Sequence, residues 1–127
     1  VQEKELYKWL KSHYVDDLVL SSSEFSIYDC YSVKYRSIFE LKSRDTHYDT
    51  LMIEKPKFSK LVELAKSKKC NAFYVCYTPE GVYSFNLLKI RPKFSTFILP
   101  SSSYNWNAYK KEKIVAMLRV SEAKKLL

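Results

Sequence analysis

Residues 25–43 read Phe-Ser-Ile-Tyr-Asp-Cys-Tyr-Ser-Val-Lys-Tyr-Arg-Ser-Ile-Phe-Glu-Leu-Lys-Ser. Two runs rich in aromatic and β-branched residues flank a polar corner at Lys34-Tyr35, and such runs favour strands. In the first, Phe25, Ile27, Asp29, Tyr31 and Val33 fall on one side of an extended chain. In the second, residues 36–43, Arg36, Ile38, Glu40 and Lys42 share a face, because side chains alternate along a strand. Paired as an antiparallel hairpin, the two runs bring Asp29 near Glu40. An acid in an otherwise apolar row, opposite a second acid, is not the pattern of a solvated face. Two carboxylates converging in a half-buried place repel unless a cation joins them. Hard oxygen ligands suit Mg²⁺, with Mn²⁺ as the alternative.

Outward from this hairpin the period changes. Residues 2–14 place Leu6, Trp9 and Leu10 at i, i+3 and i+4 among lysines, which predicts an amphipathic helix. Residues 15–20 read as a short strand before the polar break Ser21-Ser22-Ser23. Residues 44–54 read as a polar loop. Pro56 then opens a helix over 57–69, with Phe58, Leu61, Val62, Leu64 and Ala65 at helical spacing. The apolar run 72–77 predicts a buried strand. Thr78-Pro79-Glu80-Gly81 predicts a type I turn into a strand over 82–88. Residues 93–99 read as an edge strand, 100–106 as a loop, and 109–118 as a basic amphipathic helix, with Ser121 capping a last short turn. The order predicts one α/β domain over residues 1–127, with a mixed sheet, a core at about 2–90 and a C-terminal extension at about 91–127.

The composition limits the chemistry. The chain has 127 residues, a formal net charge of +8, 11 Tyr, 7 Phe, 2 Trp and one glycine. A single glycine excludes a P-loop, a dinucleotide-binding GxGxxG loop and a GxSxG elbow, each of which needs several. Three cysteines, Cys30, Cys70 and Cys76, form no CxxC pair, which predicts free thiols in a reducing, cytoplasmic compartment. No apolar run reaches the ~20 residues of a membrane span. The chain begins at Val1, the mark of a trimmed sequence. The positive balance points to a polyanion, most simply nucleic acid.

Asp29, ten residues, then Glu40-Leu41-Lys42 resembles the PD-(D/E)xK nuclease superfamily. Tyr28 stands where the motif's Pro would be. The superfamily's restriction-endonuclease-like core is a helix, a β-meander, a helix and a strand, an order this chain matches over about residues 2–78. A second acid-x-Lys triplet, Glu122-Ala123-Lys124, is set aside on the reading that it lies on a helix, where i and i+2 are ~200° apart.

The resemblance implies that Asp29, Glu40 and the Leu41 carbonyl ligate Mg²⁺, with Glu3 as a further acid from the first helix. It implies that Lys42 orients or deprotonates the attacking water, and that Lys57 contacts phosphate. Arg44 after the motif strand, Lys60 on the second helix, and Lys110, Lys111 and Lys113 in the tail are the expected DNA contacts. Tyr104, Trp106 and Tyr109 add stacking surfaces. His47 reads as a solvated loop residue, with substrate contact the alternative. The implied protein is a small Mg²⁺- or Mn²⁺-dependent DNA endonuclease, similar to junction resolvases and phage or mobile-element nucleases, and a homodimer. Two other classes fit the same composition: a non-catalytic nucleic-acid-binding module, and a basic protein–protein adaptor.

Overall fold

The computed structural model describes residues 2–23, 26–100 and 110–127. Among the described residues, two sheets and two α-helices make up the fold. The larger sheet has the order β1-β2-β3-β5-β6-β9, where β1 is Val19–Leu20, β2 Cys30–Ser32, β3 Ser37–Ser43, β5 Asn71–Thr78, β6 Gly81–Asn86 and β9 Lys124–Lys125. β1, β2 and β3 form an antiparallel meander, and β3 pairs parallel with β5. The smaller sheet has the order β4-β8-β7, from Thr50–Glu54, Lys110–Arg119 and Ser95–Pro100, all antiparallel. Its β7 is an edge strand, as the sequence predicts.

The two faces of the large sheet bury two separate cores. Helix α1, Glu3–His13, places Leu6 and Leu10 against Phe39, Leu41, Val75 and Val82 on one face. Glu3 and Glu5 in its first turn and Lys11 and His13 in its last oppose the helix dipole correctly. Helix α2, Lys55–Lys68, places Leu61 and Ala65 on the other face, with Ile38, Tyr74, Cys76, Tyr83 and Phe85. Leu51, Ile53, Ala116 and Leu118 of the small sheet close that second core. β5 is buried on both faces at Tyr74, Val75 and Cys76, which accounts for its unbroken apolar run.

Several local expectations differ from this structure; among them, Ser121 lies inside the 3-10 turn Val120–Glu122 rather than capping it, and the short strand expected over 15–20 is only Val19–Leu20. Residues 109–118 are not a helix. From Lys110 the chain is the ten-residue strand β8, the centre of the small sheet. Val115 and Ala116 are both buried, one on each face, as a central strand requires. Lysines in a helix's first turn would also have met the positive end of its dipole, which is unfavourable. Residues 44–54 are not all loop, because Leu51 and Ile53 alternate with Met52 and Glu54 to make β4. The first strand is shorter than 25–33: β2 begins only at Cys30, and Phe25 lies outside the described residues. Glu122 and Lys124 sit on a 3-10 turn and on β9 rather than on a helix, and both are exposed.

Candidate active site

Asp29 lies just before β2 and is held by three bonds. Its N–H donates to the Phe39 carbonyl at 2.9 Å, and its carbonyl accepts from Ser21 N–H at 2.8 Å. Its carboxylate Oδ2 accepts from Leu41 N–H at 2.7 Å. Cys30 pairs with Phe39, so the register continued one step sets Asp29 opposite Glu40. The structure therefore joins Asp29 to the Glu40-Leu41-Lys42 segment directly. Leu41 presents its N–H to this contact, and its side chain is buried beneath α1.

Glu40 and Lys42 share the face of β3 that looks toward α2. Glu40 is only 12% exposed at its side chain, and Lys57 Nζ from the first turns of α2 reaches its Oε2 at 3.4 Å. Burial, and after it the negative charge of Asp29, push the Glu40 carboxyl up to about 7. Lys57 and Lys42 pull it back down without restoring its ordinary value. Burial and the neighbouring acid leave the ionised form of Glu40 short of compensating charge. A divalent cation fits that deficit. Mg²⁺ is commonly held by only one or two carboxylates, its remaining positions going to water and phosphate oxygens.

Glu3 is not part of this cluster. It sits in the first turn of α1, whose Leu6 and Leu10 pack on the opposite face of the sheet. Among the described residues, no group of three or more His, Cys, Asp or Glu side chains is placed to share a metal. Alternation along β3 carries Glu40 and Phe39 to opposite faces.

The expected DNA contacts fall into two groups. Arg44 is half-buried; its N–H donates to the Tyr77 carbonyl, and its charge acts on Tyr74 and Cys76 beside the site. Lys60 is exposed on α2. Lys111 is exposed on β8, and Lys113 is committed to Glu54 Oε1 at 3.4 Å with its side chain 16% exposed. Lys55, Lys111 and Lys113 line an open groove of ≈ 590 Å³ between the start of α2 and β8. Lys110 begins β8, and its side chain lies outside the described residues, as do Tyr104, Trp106 and Tyr109.

Two residues near the site escape a sequence reading. Tyr74 is the register partner of Glu40 and is 4% exposed. Its hydroxyl donates to the Met52 carbonyl of β4 at 2.9 Å, tying the two sheets together behind Glu40. Tyr74→Phe is expected to cost about 1–2 kcal/mol of unfolding free energy in urea titration, since it leaves a buried carbonyl without its donor. A cost within error of zero would show that water replaces the bond. His47 is the other. It is 13% exposed rather than solvated, with Nδ1 at 2.8 Å from the hydroxyl of fully buried Thr78. Nothing in a lone loop histidine signals that burial, because its partner is 31 residues away.

No protein-family model matches the chain, and no curated protein matches it in sequence. Among solved structures it is similar to a Holliday junction resolvase from the archaeal hyperthermophile Archaeoglobus fulgidus. The TM-score is 0.62 and the identity 12%, over 98% of this chain and 88% of that one. The likeness is one of fold. The chain has the mixed α/β, restriction-endonuclease-like fold.

Proposed function

We propose that this chain is a divalent-metal-dependent DNA endonuclease that acts on branched or junction DNA. The observation that carries the reading is the juxtaposition of Asp29, Glu40 and Lys42. One acid is anchored to the backbone of the motif strand, and the other is buried beside it with its carboxyl pushed up to about 7. The fold shared with an archaeal Holliday junction resolvase supports the choice of nuclease and of branched substrate.

Asp29 and Glu40 are the carboxylates that would hold Mg²⁺ or Mn²⁺, with the Leu41 carbonyl as a further ligand. When bound, the cation lowers the pKa of water and polarises the scissile phosphate. The protein supplies the rest. The Leu41 N–H and the β-ladder fix Asp29, so the acid pair is set before substrate arrives. Lys42, on the same face as Glu40, orients the attacking water and faces the charge that builds on the phosphorus oxygens. Lys57 brings a second positive charge to the Glu40 carboxylate from α2. Cutting both strands of a junction takes two such sites, so the proposal includes a pair of chains.

The test is incubation with four-way-junction, single-stranded and duplex DNA in Mg²⁺, Mn²⁺ or EDTA. Cleavage of the junction with either metal, none in EDTA, and none by Lys42→Ala is the expected result. Cleavage that survives both EDTA and Lys42→Ala rejects the mechanism. Binding of DNA by the wild type without cleavage in any metal would make the chain a nucleic-acid-binding module.

A further inference from the structure

The face of the large sheet that carries Glu40 and Lys42 continues beyond them. Lys42 of β3 pairs with Cys76 of β5, Cys76 with Tyr83 of β6, and Tyr83 with Lys125 of β9. Directly paired residues point to the same side of a sheet, so Lys42, Cys76, Tyr83 and Lys125 form one row across it. At ~4.8 Å per strand, Lys125 lies about 14 Å from Lys42.

Two cationic or donor groups frame the far end of this row. Lys125 Nζ lies 5.8 Å from the centroid of the Tyr83 ring. The His47 ring lies 5.7 Å from the same ring, tilted by 43°. His47 is anchored through Nδ1 to Thr78 Oγ1, and that hydroxyl also accepts from Glu80 N–H at 3.1 Å. Thr78 can give its own proton to Nδ1, which places the neutral ring's proton on Nε2; a charged imidazolium carries one there too. With Thr78 as the donor to Nδ1, Nε2 is itself a donor. It faces an anion already, since Glu80 Oε2 stands 3.9 Å away on a side chain 67% exposed. The Arg44 charge also acts on Tyr74 and Cys76 of this face.

We propose that His47 Nε2 and Lys125 Nζ, both beside Tyr83, form a second backbone-phosphate subsite that holds the DNA strand a few nucleotides from the scissile bond. The exposed Glu80 carboxylate occupies its mouth and competes with phosphate. The assignment rests on the nuclease reading, because it takes the ligand to be DNA. A buried hydroxyl aims the histidine, and the lysine comes from a strand distant in sequence, so the subsite exists only in the folded chain.

Fluorescence anisotropy with a labelled junction and a labelled duplex in EDTA tests this without cleavage. His47→Ala and Lys125→Ala are each expected to weaken binding about five-fold. Lys125→Ala should also reduce the slope of log affinity against log salt by about 1. Glu80→Gln should tighten binding, the opposite sign. Lys125 is exposed and its truncation leaves the core intact, so its result stands even where His47→Ala loosens the fold. Wild-type affinity in both His47→Ala and Lys125→Ala, with binding lost in Lys60→Ala, overturns the subsite and leaves the nuclease reading standing. Absence of wild-type binding to either DNA overturns the subsite, while the nuclease reading is decided by the cleavage test.

Discussion

Glu40→Gln is expected to abolish cleavage and, in the metal-free protein, to raise stability above neutral pH. The two effects share one cause. In the folded chain the Glu40 carboxyl is pushed from 4.5 up to about 7, by burial and then by Asp29. Between those values the folded state binds more protons than the unfolded state, so stability falls as pH rises through that window. The full displacement corresponds to about 3 kcal/mol. Glutamine keeps the shape and never ionises. The variant should therefore match the wild type near pH 4 and exceed it by up to about 3 kcal/mol at pH 8 in EDTA, measured by urea unfolding. Adding Mg²⁺ should raise the wild-type melting temperature and leave that of the variant nearly unchanged, since a ligand that binds only the folded state stabilises it. On the proposed mechanism, loss of one of the two carboxylates should lower cleavage by at least about 10³-fold. A variant less stable than the wild type at pH 8 without metal would mean that Glu40 is held ionised by its lysines, and the cation deficit would disappear.

The second large effect is expected at the chain's one glycine. Thr78 pairs with Gly81, so Pro79 and Glu80 alone form the loop between β5 and β6. Two-residue hairpin loops favour turns that need a positive φ at their first residue, and proline cannot adopt one. The positive φ falls on Gly81 instead, at +151°. A Cβ there would also stand 2.1 Å from the Leu127 carbonyl oxygen and 2.8 Å from the Lys125 side chain. Leu126 N–H donates to the Val82 carbonyl and Val82 N–H to that of Leu127, so the strand that presses on Gly81 is itself bonded to β6. Gly81→Ala is expected to cost about 3 kcal/mol, combining backbone strain with expulsion of the C-terminal strand. Removing residues 126–127 from both chains should shrink that cost, because the Leu127 contact is gone and only the φ strain and the flexible Lys125 side chain remain. A loss under ~1 kcal/mol in the full chain would show that the C-terminal strand moves aside freely. Its displacement would also carry Lys125 away from Tyr83, so Gly81→Ala should weaken DNA binding more than its position suggests.

The elements whose reading needs only near neighbours were legible in the sequence. Helix α1 follows from Leu6 and Leu10 one turn apart, α2 from Pro56 and the spacing of Leu61 and Ala65, and the β5–β6 hairpin from Thr-Pro-Glu-Gly. The placement of Asp29 beside Glu40-Leu41-Lys42 was legible too, because a strand's two-residue period and a short hairpin fix which side chains meet. The small sheet was not. β4 and β8 lie more than fifty residues apart, and Ile-Val-Ala-Met-Leu fits a helix face or a central strand equally well until a partner is found.

By itself, then, the sequence determined the pair of acids, the motif lysine and the two helices, since each depends on local periodicity. Tertiary structure decided what surrounds them. It put α1 with Glu3 on the far face, brought Lys57 onto Glu40, buried His47 against Thr78, and laid the C-terminal strand across Gly81. Each of those contacts joins segments whose own periodicity does not specify a partner. Only pairing and burial across the whole sheet select them, and this is why a chain with one glycine has that residue where two strands and the C-terminus meet.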